Sequence, residues 1–90
     1  MQFMVIEHFS SGARPVYERF GERGRLMPDG LEYVASWVTA DLGRAFQVME
    51  CDDVTLLQRW VAAWEDIARF EILPVAPGGS DVTAAVRAGE

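Results

Sequence analysis

Two side chains of this 90-residue sequence are candidates for acid–base chemistry, His8 and Glu50. His8 is the only histidine, and histidine is the side chain whose ordinary pKa lies closest to neutrality. At the end of an apolar strand it could serve as a general base. The plainer interpretation is a histidine at the rim of a sheet that is solvated or hydrogen-bonded. Alternate side chains of a strand point to opposite faces, so Glu7 and His8 do not form a dyad.

Glu50 is an acid in a stretch that otherwise has the pattern of an apolar strand. Burying an unpaired carboxylate is costly, and the low dielectric raises its pKa. A carboxyl group whose pKa is raised in this way can act as a general acid. The alternative is a strand-end glutamate that reaches solvent or pairs with an arginine such as Arg19 or Arg69.

Several aromatic residues could line a pocket for a flat hydrophobic ligand. The candidate ligand-binding residues are Tyr33, Trp37, Phe46 and Trp60, with Trp64 and Phe70 as neighbours. The alternative is plain core, because aromatic residues at helical spacing usually pack inside a protein.

Motifs for metals and cofactors are missing from the sequence. There is no phosphate-binding glycine loop, no HExxH and no GxSxG. One histidine and one cysteine do not make a zinc site. Cys51 precedes a predicted helix, but Asp52 and Asp53 oppose ionisation of its thiol, so we expect an inert cysteine. We expect neither a cofactor nor a metal.

The charge balance narrows the range of partners. With 8 basic and 14 acidic residues the net charge is −6, which disfavours nucleic acid and anionic membranes. No apolar run approaches the roughly 20 residues of a membrane span, and the N-terminus lacks the pattern of a signal peptide. These features predict a cytoplasmic protein.

Hydrophobic periodicity and turn residues predict six elements and a tail. The predicted strands are 2–9, 31–39, 44–51 and 69–75. The predicted helices span about 14–24 and about 53–65. The first strand is apolar on both faces, which is typical of a central strand. Pro74 indicates that the last strand lies at an edge. Residues 1–76 form one domain, and residues 77–90 are a tail that is either loose or a short helix.

The order β-α-β-β-α-β predicts a ferredoxin-like α+β fold, with two helices on one face of a four-stranded antiparallel sheet. The central hairpin decides which residues meet the helices. Its bulkier face carries Tyr33, Trp37, Phe46 and Glu50, and we expect the helices there. The flatter face, with Gln47 and Met49 among others, would then pack on a second copy in a homodimer. A bulge at the turn 41–43 would exchange the two faces.

The segments MQFMVIEHF, YERF, MECDD and LQRWVAAWEDIARFEILPV carry a family resemblance. The chain resembles a bacterial family, domain of unknown function number 3303, within the dimeric α/β-barrel superfamily of Dabb-type proteins and small monooxygenases. The resemblance covers residues 1–76 and implies a ferredoxin-like dimer. It implies no catalytic residue.

Two functions from different classes remain open. The first is a non-catalytic dimeric module that binds a hydrophobic small molecule or a partner. The second is a cofactor-independent enzyme of the monooxygenase, isomerase or cyclase kind, with Glu50 or His8 in a pocket between sheet and helices. A cavity there that contains a polar side chain would favour the enzyme, and a solid core would exclude it.

Overall fold

The computed structural model describes residues 1–89, which form four strands and three helices. In chain order these are β1 (Gln2–Phe9), α1 (Ala13–Arg23), β2 (Glu32–Val38), β3 (Arg44–Glu50), α2 (Val54–Ala62), β4 (Ala68–Val75) and α3 (Ser80–Ala88). Glu90, the last residue of the predicted tail, lies outside the described residues.

The sheet has the order β2-β3-β1-β4, and every neighbouring pair is antiparallel. The ferredoxin-like fold is therefore confirmed. β1 is central and β4, which contains Pro74, is an edge strand, as the sequence predicted. An edge position tolerates proline because its missing N–H removes no bond from the interior of the sheet.

Local signals set the ends of the helices. Gly24 follows α1 with a φ of 70°, a backbone conformation that suits glycine. Asp53 caps α2: its Oδ1 accepts a hydrogen bond of 2.9 Å from the backbone N–H of Thr55. These contacts hold the pKa of Asp53 below its ordinary value, with the hydrogen bonds from Thr55 as the largest causes.

Both α1 and α2 cover the same face of the sheet. The main core cluster joins sheet residues to Val16 of α1 and to Leu57 and Trp60 of α2. Its other members are Phe3, Val5, Leu31, Met49, Cys51 and Trp64. At the protein surface, Arg19 of α1 forms a bidentate ion pair with Asp66, which follows α2, with N–O distances of 2.6 and 2.8 Å.

The predicted orientation of the hairpin was wrong. Trp37 and Phe46 do share a face, as predicted, and pair across the strands, but the helices cover the flatter face that carries Gln47 and Met49, among other residues. The reason is volume. Trp60 of α2 and Trp64, two residues beyond its end, bring two tryptophan rings to the sheet, and small or flat side chains beneath them leave the space that close packing requires.

A bulge is present within β2, whereas the alternative considered from the sequence was a bulge at the hairpin turn. The register of β2 against β3 shifts between Tyr33 and Ala35, not at the turn 41–43. Tyr33 consequently pairs with Met49 on the helix-covered face, whereas Trp37 lies on the other face. We call the latter the open face, because neither α1 nor α2 covers it.

The last helix, α3, contributes no buried residue, and Val82 and Val86 on it are exposed. None of the helices in residues 1–89 is long and apolar enough to span a membrane.

Candidate functional site

Strand β1 places the carboxyl group of Glu7 on the helix-covered face. Glu7 lies between Ala45 of β3 and Phe70 of β4, and its side chain is only 4% exposed. The side-chain amide of Gln47 donates a hydrogen bond of 3.3 Å to Oε1 of Glu7. Within residues 1–89 the other oxygen, Oε2, accepts no side-chain hydrogen bond and is not sealed from solvent. Glu7 is also one of the residues that line an adjoining cavity.

Burial raises the pKa of Glu7 from 4.5 to about 7. The physical cause is desolvation, because removing water from a carboxyl group penalises its charged form. Near neutral pH the side chain is therefore present both as an acid and as a carboxylate. A pKa matched to the working pH is what general acid–base catalysis requires.

The cavity above Glu7 lies between the sheet, α1 and α2 and has a volume of about 60 Å³. Most of its wall is apolar, and a few polar side chains converge on it, as in small-molecule sites generally. The lining consists of Glu7, Val16, Tyr17, Phe20, Arg25, Ser36, Val38, Ala45, Gln47, Trp60 and Trp64. One water needs roughly 10–15 Å³ by this measure, so the cavity has room for a group of about four to six non-hydrogen atoms.

Arg25 is the one arginine of the cavity wall, and its backbone is firmly positioned. Its carbonyl oxygen accepts two hydrogen bonds of 3.0 Å, from the indole N–H groups of Trp60 and Trp64. The next residue, Leu26, has a φ of 59°, which costs a non-glycine residue about 1–2 kcal/mol. The side chain of Leu26 packs against the core cluster, and this packing holds the unfavourable backbone in place.

The guanidinium group of Arg25 lies on aromatic rings. Its Cζ is 3.7 Å from the ring centre of Tyr33 and 5.0 Å from that of Phe20. The hydroxyl of Tyr33 is in turn 2.7 Å from Oγ of Ser36, which lines the cavity. Stacking of this kind fixes a guanidinium plane and leaves its N–H edge available for hydrogen bonding.

Tyr17 connects the two charged groups of the cavity. Its pKa is raised, chiefly by burial and further by the negative charge of Glu7, while the positive charge of Arg25 opposes the rise. The fields of both Glu7 and Arg25 thus reach one hydroxyl group. All three side chains line the same cavity.

The two predicted acid–base candidates do not line this cavity. Glu50 lies on the open face, opposite Gln2 and Glu32, so the prediction that it lies under the helices was wrong. His8 shares that open face, where its Nε2 is 3.1 Å from Oε1 of Glu71 on β4. It is a hydrogen-bonded histidine at the end of a strand.

The aromatic candidates are divided between the two faces. Trp60 lines the cavity, and Tyr33 supports it by stacking under Arg25. Trp37 and Phe46 lie on the open face, so their predicted place beside the helices was also wrong. Their part in ligand binding stays a prediction.

Sequence reasoning missed Glu7 as the buried carboxylate. A signal was present, since Glu7 has the same strand parity as Phe3 and Val5. A central strand covered on one face must bury every second residue there, and an acid in that register is therefore buried with them.

A wider groove of about 700 Å³ runs between α2 and β4, with Val61, Phe70 and Ile72 among its lining residues. It is mainly apolar, and Glu65 is its one charged lining residue. Polar groups do not converge in it as they do around Glu7.

The chain belongs to the family described as Domain of unknown function (DUF3303), which it matches over residues 1–89. The match includes α3, a segment outside the resemblance expected from the sequence. A crystal structure of a protein from Agrobacterium tumefaciens is similar, with 14% identity and a TM-score of 0.48, over 89% of this chain and 98% of that one. No curated protein matches the chain.

Proposed function

We propose that this domain binds a small organic molecule in the cavity above Glu7. The observation that carries the proposal is a buried carboxyl group with one accessible oxygen at the base of a mainly apolar cavity. Burying a carboxyl group costs stability, and groups placed at such a cost in a cleft mark functional sites. The apolar wall supports a ligand with a hydrocarbon body.

A second candidate function is a cofactor-independent enzyme of the isomerase, cyclase or monooxygenase kind. The observation that favours it is the pKa of Glu7, which at about 7 suits a group that accepts and returns a proton. Glu7 takes over the role that the sequence suggested for Glu50 or His8. The cavity contains a polar side chain, which is the condition under which we expected an enzyme.

The proposal includes a homodimer formed through the open face, as in the dimeric α/β-barrel superfamily. Trp37 is 59% exposed there, and Leu73 of β4 is also exposed. Large apolar side chains on one face of a sheet favour packing against an identical face. The free cysteine Cys51 suits the reducing bacterial cytoplasm in which we expect the protein to work.

The binding proposal is tested by nuclear magnetic resonance with a set of small organic fragments. The three indole N–H signals act as probes, because Trp60 and Trp64 line the cavity and Trp37 lies on the opposite face. A fragment in the cavity should shift the first two signals and leave the third in place. If no fragment does so, or if the Trp37 signal alone moves, the proposal fails.

A matched pair of variants checks the location. Ala45→Leu should fill the cavity and abolish the shifts, because Ala45 is buried in its wall. Ala35→Leu places the same side chain on the open face, since Ala35 pairs with Val48 there, and should leave fragment binding intact. Equal effects of the two substitutions would contradict the proposed site.

One further measurement separates the enzyme from the binding module. A carbonyl fragment that binds should exchange a C–H hydrogen for deuterium in heavy water if Glu7 acts as a base. Exchange that disappears in Glu7→Gln supports the enzyme. Binding without exchange supports the non-catalytic module.

A further inference from the structure

We propose, building on the function proposed above, that the occupant of the Glu7 cavity is a short-chain monocarboxylate with a hydroxyl or oxo group. Its carboxylate binds the guanidinium group of Arg25, and its second polar group faces Oε2 of Glu7. The cavity volume of about 60 Å³ suits a group of about four to six non-hydrogen atoms.

Arg25 supplies the reason for a carboxylate. Within residues 1–89 no carboxylate oxygen lies within 4.0 Å of Arg25, whereas Arg19 is paired with Asp66. A guanidinium group that is held in place and has no carboxylate partner can donate two parallel N–H hydrogen bonds to the two oxygens of a carboxylate ligand. The net charge of −6 disfavours anions over the rest of the surface, so an anionic ligand depends on a local positive charge such as that of Arg25.

The positioning of Arg25 supports a binding role over a purely structural one. Two indole hydrogen bonds converge on its carbonyl, and the neighbouring Leu26 has a positive φ. Unfavourable backbone conformations persist where the surrounding structure over-determines them, and they cluster at ligand sites. The guanidinium is held before any ligand arrives, so binding loses little side-chain entropy.

Glu7 supplies the reason for the hydroxyl or oxo group. As a neutral acid its carboxyl group can donate a hydrogen bond to an oxo group or accept one from a hydroxyl. An ionised Glu7 would repel an anionic ligand in the same small cavity. The neutral form is well populated because burial raises the pKa of Glu7 to about 7.

Binding should therefore weaken as the pH rises through 7. If the protonated form of Glu7 binds the anion, the competent fraction falls about tenfold between pH 6 and pH 8. A simple carboxylic acid, with a pKa near 4, stays ionised over this range. The other ionisable groups on the cavity wall are Tyr17 and Arg25, while Gln47 of β3, Phe70 of β4 and the tryptophans are uncharged.

The experiment titrates the protein with lactate, pyruvate, propionate and lactamide and follows the indole signals of Trp60 and Trp64. Lactamide has nearly the shape of lactate but carries no charge, and propionate lacks the hydroxyl group. At pH 6 we expect lactate or pyruvate to bind at least tenfold more tightly than lactamide, and propionate to bind more weakly than lactate. Equal binding of lactate and lactamide would overturn the inference.

Variants assign the contacts. Arg25→Met should remove the preference for lactate over lactamide, Arg25→Lys should restore part of it, and Arg87→Met on α3 should leave it unchanged. Glu7→Gln should keep lactate binding but abolish its tenfold pH dependence, because glutamine imitates the neutral acid. A pH dependence that survives in Glu7→Gln would contradict the role of Glu7.

The outcomes also separate this inference from the function on which it rests. If the four probes cause no shift at 50 mM while other fragments shift the Trp60 and Trp64 signals, the carboxylate inference fails and the binding function stands. If no fragment of any kind shifts those signals, both fail. Dispersed amide spectra of each variant establish that it is folded.

Discussion

Glu7 and Glu50 are the same residue type on adjacent strands, yet they lie in opposite environments. Glu7 is on the face covered by α1 and α2, at the base of a cavity, and burial raises its pKa to about 7. Glu50 is on the open face, between Gln2 and Glu32 of the neighbouring strands. Strand parity together with the position of the helices, rather than residue type, therefore creates the candidate site.

Trp60 and Trp37 show the same difference between the covered face and the open face. Trp60 is 2% exposed, packs edge to face on Phe70 at 5.2 Å between ring centres, and donates a hydrogen bond to the carbonyl of Arg25. Trp37 is 59% exposed on the other face. Trp60 therefore stabilises the wall of the cavity, whereas Trp37 is accessible to a partner.

The largest expected effect is that of Trp60→Ala. Removing a fully packed aromatic side chain from a core costs about 3–5 kcal/mol, and this substitution also leaves the Arg25 carbonyl with one hydrogen bond fewer. Urea unfolding should show this loss in the free energy of unfolding. In dilute protein Trp37→Ala should cost far less, and equal losses for the two variants would remove the distinction between the faces.

The next effect is the pH dependence that Glu7 gives to folding. Its pKa rises from 4.5 in the unfolded chain to about 7 in the folded protein, so between these values the folded state holds more protons. Stability must then fall as the pH rises from about 4.5 to 7, by up to about 3 kcal/mol. Glu7→Gln should remove this fall and make the protein more stable than the parent at pH 8.

Glu50→Gln is the matched control for that measurement, because it removes the same charge from the open face. Its unfolding free energy should keep the decline with pH seen in the parent. A decline that is lost in Glu50→Gln and kept in Glu7→Gln would reverse the assignment of the two carboxylates.

The smallest of the three effects concerns association. If the open face forms the homodimer, Trp37→Ala should weaken dimerisation by about 2 kcal/mol, or roughly thirtyfold, because buried tryptophans are frequent hot spots of interfaces. Sedimentation equilibrium measures the change, with Trp60→Phe as a variant altered on the covered face. A parent that is monomeric at 100 μM would contradict the proposed dimer.

Much of the fold could be predicted from the sequence, because its signals are local. The apolar pattern of β1 indicated a central strand and Pro74 an edge strand, and the structure confirms both. The parity of the hairpin also predicted that Trp37 and Phe46 share a face, which their cross-strand pairing confirms.

The side on which the helices lie could not be predicted in the same way. Both faces of the hairpin carry apolar residues, so the pattern alone does not favour either face. The choice depends on the bulk of Trp60 and Trp64, which come from a distant part of the chain and line the same cavity as Ala45 and Gln47. The position of Arg25 likewise depends on two indole groups 35 and 39 residues away in sequence.

The burial of Glu7 beside the cavity is tested most directly by the pKa of its carboxyl group in the folded protein. Carbon-13 nuclear magnetic resonance measures this pKa, and the Glu7→Gln variant assigns the signal. A carboxyl group buried under the helices should titrate near 7. A pKa near 4.5, the value of an exposed glutamate, would contradict the buried site on which both proposals for the cavity depend.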